Sequence, residues 1–178
     1  NIALALRADP GIANRVASIT LMGGGASGGN VTPAAEFNIY ADAEAADEVF
    51  RSGAPLTMVG LNLTHQVRMD AGHADSCRSF GHRVGDVAAK LIDFNISVHR
   101  GGGLPGSGAM HDPCAVLAVS HPEVVRSEPR HVVVEVDGMH TRGQTLVDER
   151  GPMSREPNCR VAYEADAERA IELILQAI

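Results

Sequence analysis

No apolar run in this chain approaches the length of a membrane span, and its amino end has no basic flank followed by a hydrophobic stretch. Neither a bilayer helix nor an export signal is expected. Cysteine is scarce: Cys77, Cys114 and Cys159 are odd in number and lack CxxC spacing. That excludes a disulfide framework and a zinc quartet, and it reads as free thiols in a reducing compartment, so a cytoplasmic location is expected. Positive charge is also short, with 15 Lys and Arg against 22 Asp and Glu for a formal net charge of −7, and the basic residues are scattered. With a pI near 5.5, the chain suits neither a phosphate backbone nor an anionic membrane surface, and a small neutral substrate fits better. Carboxylate pairs spaced to flank a glycosidic bond, a GxSxG elbow and a P-loop are missing, as are internal repeats, low-complexity tracts and an interdomain linker. What is present, 178 residues that are 44% hydrophobic, suffices for one substantial core and one domain.

The first residues, NIALALRADPGIANRV, place Ile2, Leu4, Ala5 and Leu6 at helical spacing with no initiator Met and no cap, so residues upstream of Asn1 are expected to be absent from this chain. SITLM, residues 18–22, predicts a strand opening into a glycine loop. AEAADEVFRSG predicts a helix with Asp42 as N-cap, and PLTMVGLNLT a buried strand. Strand, helix, strand in this order implies a parallel sheet with its ligand crevice beyond the strand carboxyl ends. Residues 76–98 predict one long helix, broken early at Gly81 or Gly85, with Val84, Val87, Ala88, Leu91, Phe94 and Ile96 near its period. GGGLPGSG, residues 101–108, predicts a mobile loop without regular structure. Asp112 before Pro113 predicts an N-cap and first helical residue. HVVVEVDG and QTLVDE predict an antiparallel hairpin, CRVAYEAD a further strand and AERAIELILQAI a closing amphipathic helix.

The most informative stretch is MGGGASGGNVTPAAEFNIYAD, residues 22–42. If Glu36 to Asn38 is extended, the two-residue period puts Glu36 and Asn38 on one face and Phe37 on the other as an anchor. With Asn30 they offer acceptors and donors in fixed directions, which suits a polyhydroxylated ligand. The alternative is a loop that satisfies its own backbone through Asn and Glu caps. Gly23, Gly25 and Gly28 match GxGxxG and open the possibility of a nicotinamide-dependent oxidoreductase, but Asn-Val-Thr-Pro follows where a pyrophosphate would need a helix. His111-Asp112 is the second candidate pair: an Asp at a helix start stays ionised and can serve as one ligand of a hard cation, or it can be a plain N-cap beside a surface His. His65, His99 and His140 read as lone structural or solvent-facing histidines.

Together the two clusters resemble the inosine-uridine preferring nucleoside hydrolases. The matching text is NIALALRADP, LMGGG, GN-VTPAAEFNIYAD-AEAA, TMVGLNLTH and MHDPCAVLAV, in that order over essentially the whole chain. The resemblance implies an open, mainly parallel α/β sheet flanked by helices, one bound Ca²⁺, and hydrolysis of the N-glycosidic bond of ribonucleosides, with residues 1–178 as the carboxyl-terminal part of the catalytic domain. It implies that Asn30 and Glu36 bind the 5′-hydroxyl side of ribose, Asn38 binds the ribose diol, and Met22 lines the ribose pocket. Asp112 resembles a calcium ligand that also touches a sugar hydroxyl, and His111 the acid that protonates the departing base. A homo-oligomer is implied as well, with a nucleoside as the small-molecule partner. An amino-terminal aspartate cluster of the DxDxxxDD kind supplies most calcium ligands in the family, and none of it lies in this chain. Asn62 stands where the family usually carries Asp, and Ala43 where it usually carries Pro. The segment around residues 99–108 is where relatives differ in gripping the base. A non-catalytic ribose- or nucleoside-binding module is the rival expectation.

Overall fold

The structure is a computed structural model that describes residues 1–98, 106–151 and 153–178. In chain order its elements are α1 (Ile2–Ala8), a 3₁₀ turn (Pro10–Asn14), β1 (Ile19–Met22), α2 (Phe37–Ala41), α3 (Ala43–Phe50), β2 (Leu56–Val59), α4 (Leu61–Thr64), β3 (Arg68–Asp70), α5 (Ala71–Ser79) and α6 (Arg83–Val98). There follow β4 (Ser107–Ala109), α7 (His111–Ser120), a second 3₁₀ turn (Pro122–Val124), β5 (Val125–Arg130), β6 (Val132–Val134), β7 (Thr145–Val147), β8 (Cys159–Ala165) and α8 (Ala167–Ala177). The described residues form two compact units, Asn1–Asn62 with Arg126–Tyr163 and Leu63–Val125 with Glu164–Ile178.

The first unit is organised by a four-stranded sheet in the order β1-β2-β8-β5. β1 runs parallel to β2, with Ile19 opposite Leu56 and Met22 opposite Val59, and β2 runs parallel to β8. The expected open, mainly parallel sheet is therefore present, and β6 and β7 add the expected antiparallel hairpin, Val132 pairing with Val147 and Val134 with Thr145. Phe50, Met58, Val132 and Val161 are fully buried in the core of this unit. Burying a side chain of Phe50's size contributes about 2–3 kcal/mol relative to leaving it in water. Helix α3 begins as expected, with the Asp42 carboxylate accepting the Ala45 N–H. Ala43 fills the first helical position, fully buried, where a proline would also be tolerated.

The second unit contains the antiparallel β3–β4 ribbon, with Arg68 opposite Ala109 and Asp70 opposite Ser107. Helices α5 and α6 pack against each other, and α7 against α8. α8 is capped by Asp166, which accepts the Arg169 N–H.

Five local expectations are corrected. Residues 61–64 are helical and do not prolong the β2 strand, because the Leu61 N–H turns back to donate to the Gly24 carbonyl. The helix expected from residue 76 starts earlier, at Ala71, and its expected early break falls at Gly81, whose φ of +69° lies in the left-handed region, so that α5 and α6 are separate. On α6 the periodic Val84, Val87, Leu91 and Phe94 are exposed, whereas Gly85, Ala89 and Ile92 are the buried residues. Ser107 and Gly108, expected in a structureless loop, belong to β4 and Gly106 is in the turn before it, while His99 and residues 101–105 of that loop lie outside the described residues. Asp112 is not the N-cap of α7: Met110 is, and Asp112 sits inside the first turn with Pro113 after it. Proline is accommodated there because the first four helical N–H groups have no intrahelical acceptor. The fifth correction, at Glu36–Asn38, shapes the candidate site.

Candidate functional site

β1 and β2 both end on this unit's candidate side. Beyond Met22 comes the glycine loop, and beyond Val59 the turn into α4, so residues 23–38 gather at the carboxyl ends of parallel strands, where open α/β sheets bind ligands. Gly24 makes the tight exit from β1 possible. Its φ is +67°, and a Cβ there would fall 2.7 Å from Thr145 Cγ2. Thr145 clasps the loop from β7, its hydroxyl accepting the Gly25 N–H at 2.9 Å and donating to the Gly25 carbonyl at 2.8 Å. Asn62 holds the next residue: its Oδ1 accepts the Ala26 N–H at 3.1 Å, while its Nδ2 donates to the Ala162 carbonyl at 2.8 Å. The second bond explains an amide in place of the usual carboxylate, since an Asp has no N–H to give.

Glu36 is not extended alongside Asn38 but is the N-cap of α2. Its side chain is 3% exposed and accepts the N–H groups of Gly24 at 3.0 Å, Asn38 at 2.9 Å and Ile39 at 3.2 Å. A buried carboxylate is tolerable only with such compensation. The expected alternation therefore fails, because Asn38 occupies the first helical turn and Phe37, expected as an anchor, is exposed.

The helical first turn nevertheless brings the predicted residues together. Asn38 Nδ2 donates to the Met22 carbonyl at 3.2 Å and lies 3.4 Å from Met22 Sδ. Because that acceptor is a carbonyl, the amide orientation is fixed, with Oδ1 turned away from it. Asn30 Oδ1 accepts the Phe37 N–H at 2.9 Å. Both asparagines are exposed, and each is anchored by one end of its amide. Among the described residues neither Asn38 Oδ1 nor Asn30 Nδ2 has a hydrogen-bond partner. One acceptor and one donor are thus oriented but not consumed. No helix starts directly after the GxGxxG glycines, α2 beginning only at Phe37, so the pyrophosphate cradle of a dinucleotide site is not formed.

A cleft of about 260 Å³ is lined in part by Leu21, Met22, Asn38 and Asp42. A larger one of about 480 Å³, lined by Ser18, Pro55 and Asn158 among others, lies at the amino ends of β1, β2 and β8, away from these residues. Larger volume does not make it the better site: both clefts are mostly apolar, and this one lies at the wrong end of the sheet for a ligand.

In the second unit His111 is the first residue of α7, and its Nδ1 lies 2.8 Å from the hydroxyl of Thr64, a residue with 0% exposure. His65, expected to stand alone, meets the His111 ring edge to face with centroids 5.7 Å apart. The Met110 N–H donates to the Val67 carbonyl at 2.9 Å, so the start of α7 is fastened to the segment that follows α4. Asp112 is exposed, and among the described residues its carboxylate makes no hydrogen bond or ion pair. Cys114 is buried, its thiol donates to the Met110 carbonyl, and burial pushes it up to about 12, so it stays a thiol and not a nucleophile. All three cysteines are free, as expected, and all three are buried. Thr64 and Thr145 were not singled out from sequence, and Asn62 was noted only as a departure from the family pattern, with no role as a loop clasp. Their partners lie 47, 120 and 100 positions away, and no local spacing signals them.

The resemblance drawn from the sequence implies one bound metal ion. Among the described residues no three or more His, Cys, Asp or Glu side chains stand close enough to hold one. Asp112 supplies one hard oxygen donor, short of the six to eight that Ca²⁺ takes, so the residues present do not fit a complete site. Also among the described residues, no helix is long and apolar enough to cross a membrane.

The chain is similar to known proteins across its length. It is 37% identical to the pyrimidine-specific ribonucleoside hydrolase RihA of Salmonella paratyphi A, over 100% of this chain and 58% of that protein. It is 39% identical to the RihA of Shewanella woodyi, over 100% of this chain and 57% of that protein. Among solved structures it superposes on the purine-preferring ribonucleoside hydrolase from Gardnerella vaginalis with a TM-score of 0.87 at 33% identity, covering 98% of this chain and 55% of that one. The chain thus spans somewhat over half the length of the relatives it matches. The sequence profile described as inosine-uridine preferring nucleoside hydrolase matches residues 1–172, and this chain belongs to that family.

Proposed function

We propose that the whole protein hydrolyses the N-glycosidic bond of ribonucleosides, releasing free base and ribose. The observation that carries this reading is the pair of half-engaged amides. Asn38 and Asn30 are each braced at one end, and each keeps a polar group in a fixed direction at the carboxyl end of β1. A fixed acceptor and a fixed donor match hydroxyl groups, which do both.

In this reading Asn38 binds the ribose diol, and Asn30 the 5′-hydroxyl side. Glu36, whose carboxylate also caps α2, contributes negative charge on that side, and Met22 lines the sugar pocket. The bond breaks toward an oxocarbenium-like ribose, so fixed negative charge and oriented amide dipoles favour the transition state more than the ground state. The bonding electron pair leaves with the base, and His111 gives the base nitrogen a proton. One water is consumed, its hydroxyl ending on C1′ and its remaining proton balancing the one delivered to the base. General acid help of this kind is worth about 10²- to 10⁴-fold. The metal is Ca²⁺, with Asp112 as one of its ligands and the others outside this chain. Residues 1–178 belong to one catalytic domain of a cytoplasmic homo-oligomer. Base preference does not transfer from relatives, because one is named pyrimidine-specific and another purine-preferring.

The test is Asn38→Ala in the whole protein, assayed on a ribonucleoside and its 2′-deoxy counterpart. Loss of a diol contact lowers kcat/KM for the ribonucleoside by roughly tenfold and narrows its advantage over the deoxy compound. An unchanged ratio between the two substrates removes Asn38 from the diol.

A further inference from the structure

We infer that Thr64 is a positioning residue for His111, holding the imidazole in the one orientation from which it can protonate the departing base. The inference rests on the proposed role of His111 as general acid. Thr64 closes α4 and is completely buried, and its hydroxyl lies 2.8 Å from His111 Nδ1. A buried hydroxyl without a partner is costly, so this contact is part of how the segment folds. It also has a directional consequence. To serve as the acid His111 must carry a proton on both ring nitrogens, so in that state Nδ1–H donates to the Thr64 hydroxyl oxygen and the proton delivered is the one on Nε2.

Three further features make the hold stiff. Thr64 is β-branched, and its χ1 has few choices. The Met110 N–H, one residue before His111, is tied to the Val67 carbonyl, three residues after Thr64. The β3–β4 ribbon then pairs Arg68 with Ala109, so both sides of the contact are clamped from the same direction. His65 limits the remaining freedom by meeting the His111 ring edge to face. A general acid misplaced by about 1 Å can lose roughly a hundredfold in rate, which makes such clamping consequential.

The experiment compares Thr64→Val, Thr64→Ser and His111→Ala in the whole protein on two substrates, a natural ribonucleoside and 4-nitrophenyl riboside, whose leaving group departs without a proton. Thr64→Val keeps the shape and removes the hydroxyl. It is expected to lower kcat on the nucleoside by roughly ten- to a hundredfold with little change in KM, and to leave the aryl riboside near its normal rate. Thr64→Ser is expected to restore nucleoside turnover, and Thr64→Val added to His111→Ala to cost nothing further. If Thr64→Val does not fold, Thr64→Ala against Thr64→Ser makes the same comparison. Equal losses on both substrates, or a Ser variant as impaired as the Val variant, overturn the inference and leave Thr64 a packing residue. A selective loss in His111→Ala without one in Thr64→Val overturns the inference alone, whereas no selective loss in His111→Ala removes the acid assignment and this inference with it.

Discussion

Glu36 shows how a single side chain can serve both the loop and the site. Its two oxygens take three backbone N–H groups from residues on either side of the loop. Glu36→Ala would strand those donors in a buried place, and it is expected to destabilise the protein by about 2 kcal/mol, read as a shift of the denaturant midpoint without a change in slope. An unchanged midpoint would mean that water fills the gap without penalty. Asp112 presents the opposite case, exposed and with no hydrogen bond among the described residues. Asp112→Ala should therefore leave stability almost unchanged while weakening calcium and nucleoside binding together, as calorimetric titration of the whole protein can show; intact calcium affinity would count against its role as a ligand. Asn30, Glu36, Asn38 and His111-Asp112 stood out in the sequence as candidates because polar residues cluster there beside glycines or a proline, and the structure places Asn30, Glu36 and Asn38 around the end of β1. Their supports did not stand out, since the partners of Thr64, Thr145 and Asn62 are brought together only by the fold.

At the scale of elements, the strands and capped helices followed their local signals closely. Asp42 and Asp166 cap α3 and α8 as their positions imply, and Gly81 divides α5 from α6. Errors arose where one short segment satisfied two patterns. Glu36-Phe37-Asn38 has a two-residue alternation, but a carboxylate able to accept the following N–H groups makes the helical turn the better solution. Asp112-Pro113 resembles a cap followed by a first helical residue, yet proline is equally acceptable two positions further in. Helix α3 is also tied to the β6–β7 connection by an ion pair, in which Arg142 donates to both oxygens of Glu44 at 2.8 and 2.6 Å. The guanidinium holds the Glu44 carboxyl down at about 2, from an ordinary 4.5. A depressed folded-state value stabilises the protein above the ordinary value, and that contribution is lost as pH falls from 4.5 through about 2. Glu44→Gln is expected to flatten this part of the acid limb of a stability-against-pH curve, and added salt to shrink the difference between the two proteins, because the pair is at the surface. Parallel acid limbs for both proteins would show that the pair adds nothing.

At the scale of the molecule, the family is shown by a profile match to residues 1–172 and by relatives aligned over the whole chain, while the chain covers somewhat over half of those relatives. In the first unit the glycine loop folds back on the carboxyl end of the strand it leaves. Met22 ends β1, and Asn38 and Glu36 return to it through the glycine loop. Similarity extends to relatives of opposite base preference, so what the proposal carries over is the attack on ribose and not the choice of base. The most direct measurement is chromatographic quantification of base and ribose when the whole protein is incubated with a panel of purine and pyrimidine ribonucleosides, with and without a chelator. Equal amounts of base and ribose, formed catalytically and suppressed by the chelator, are the predicted result; saturable nucleoside binding with no ribose released from any member of the panel would contradict it.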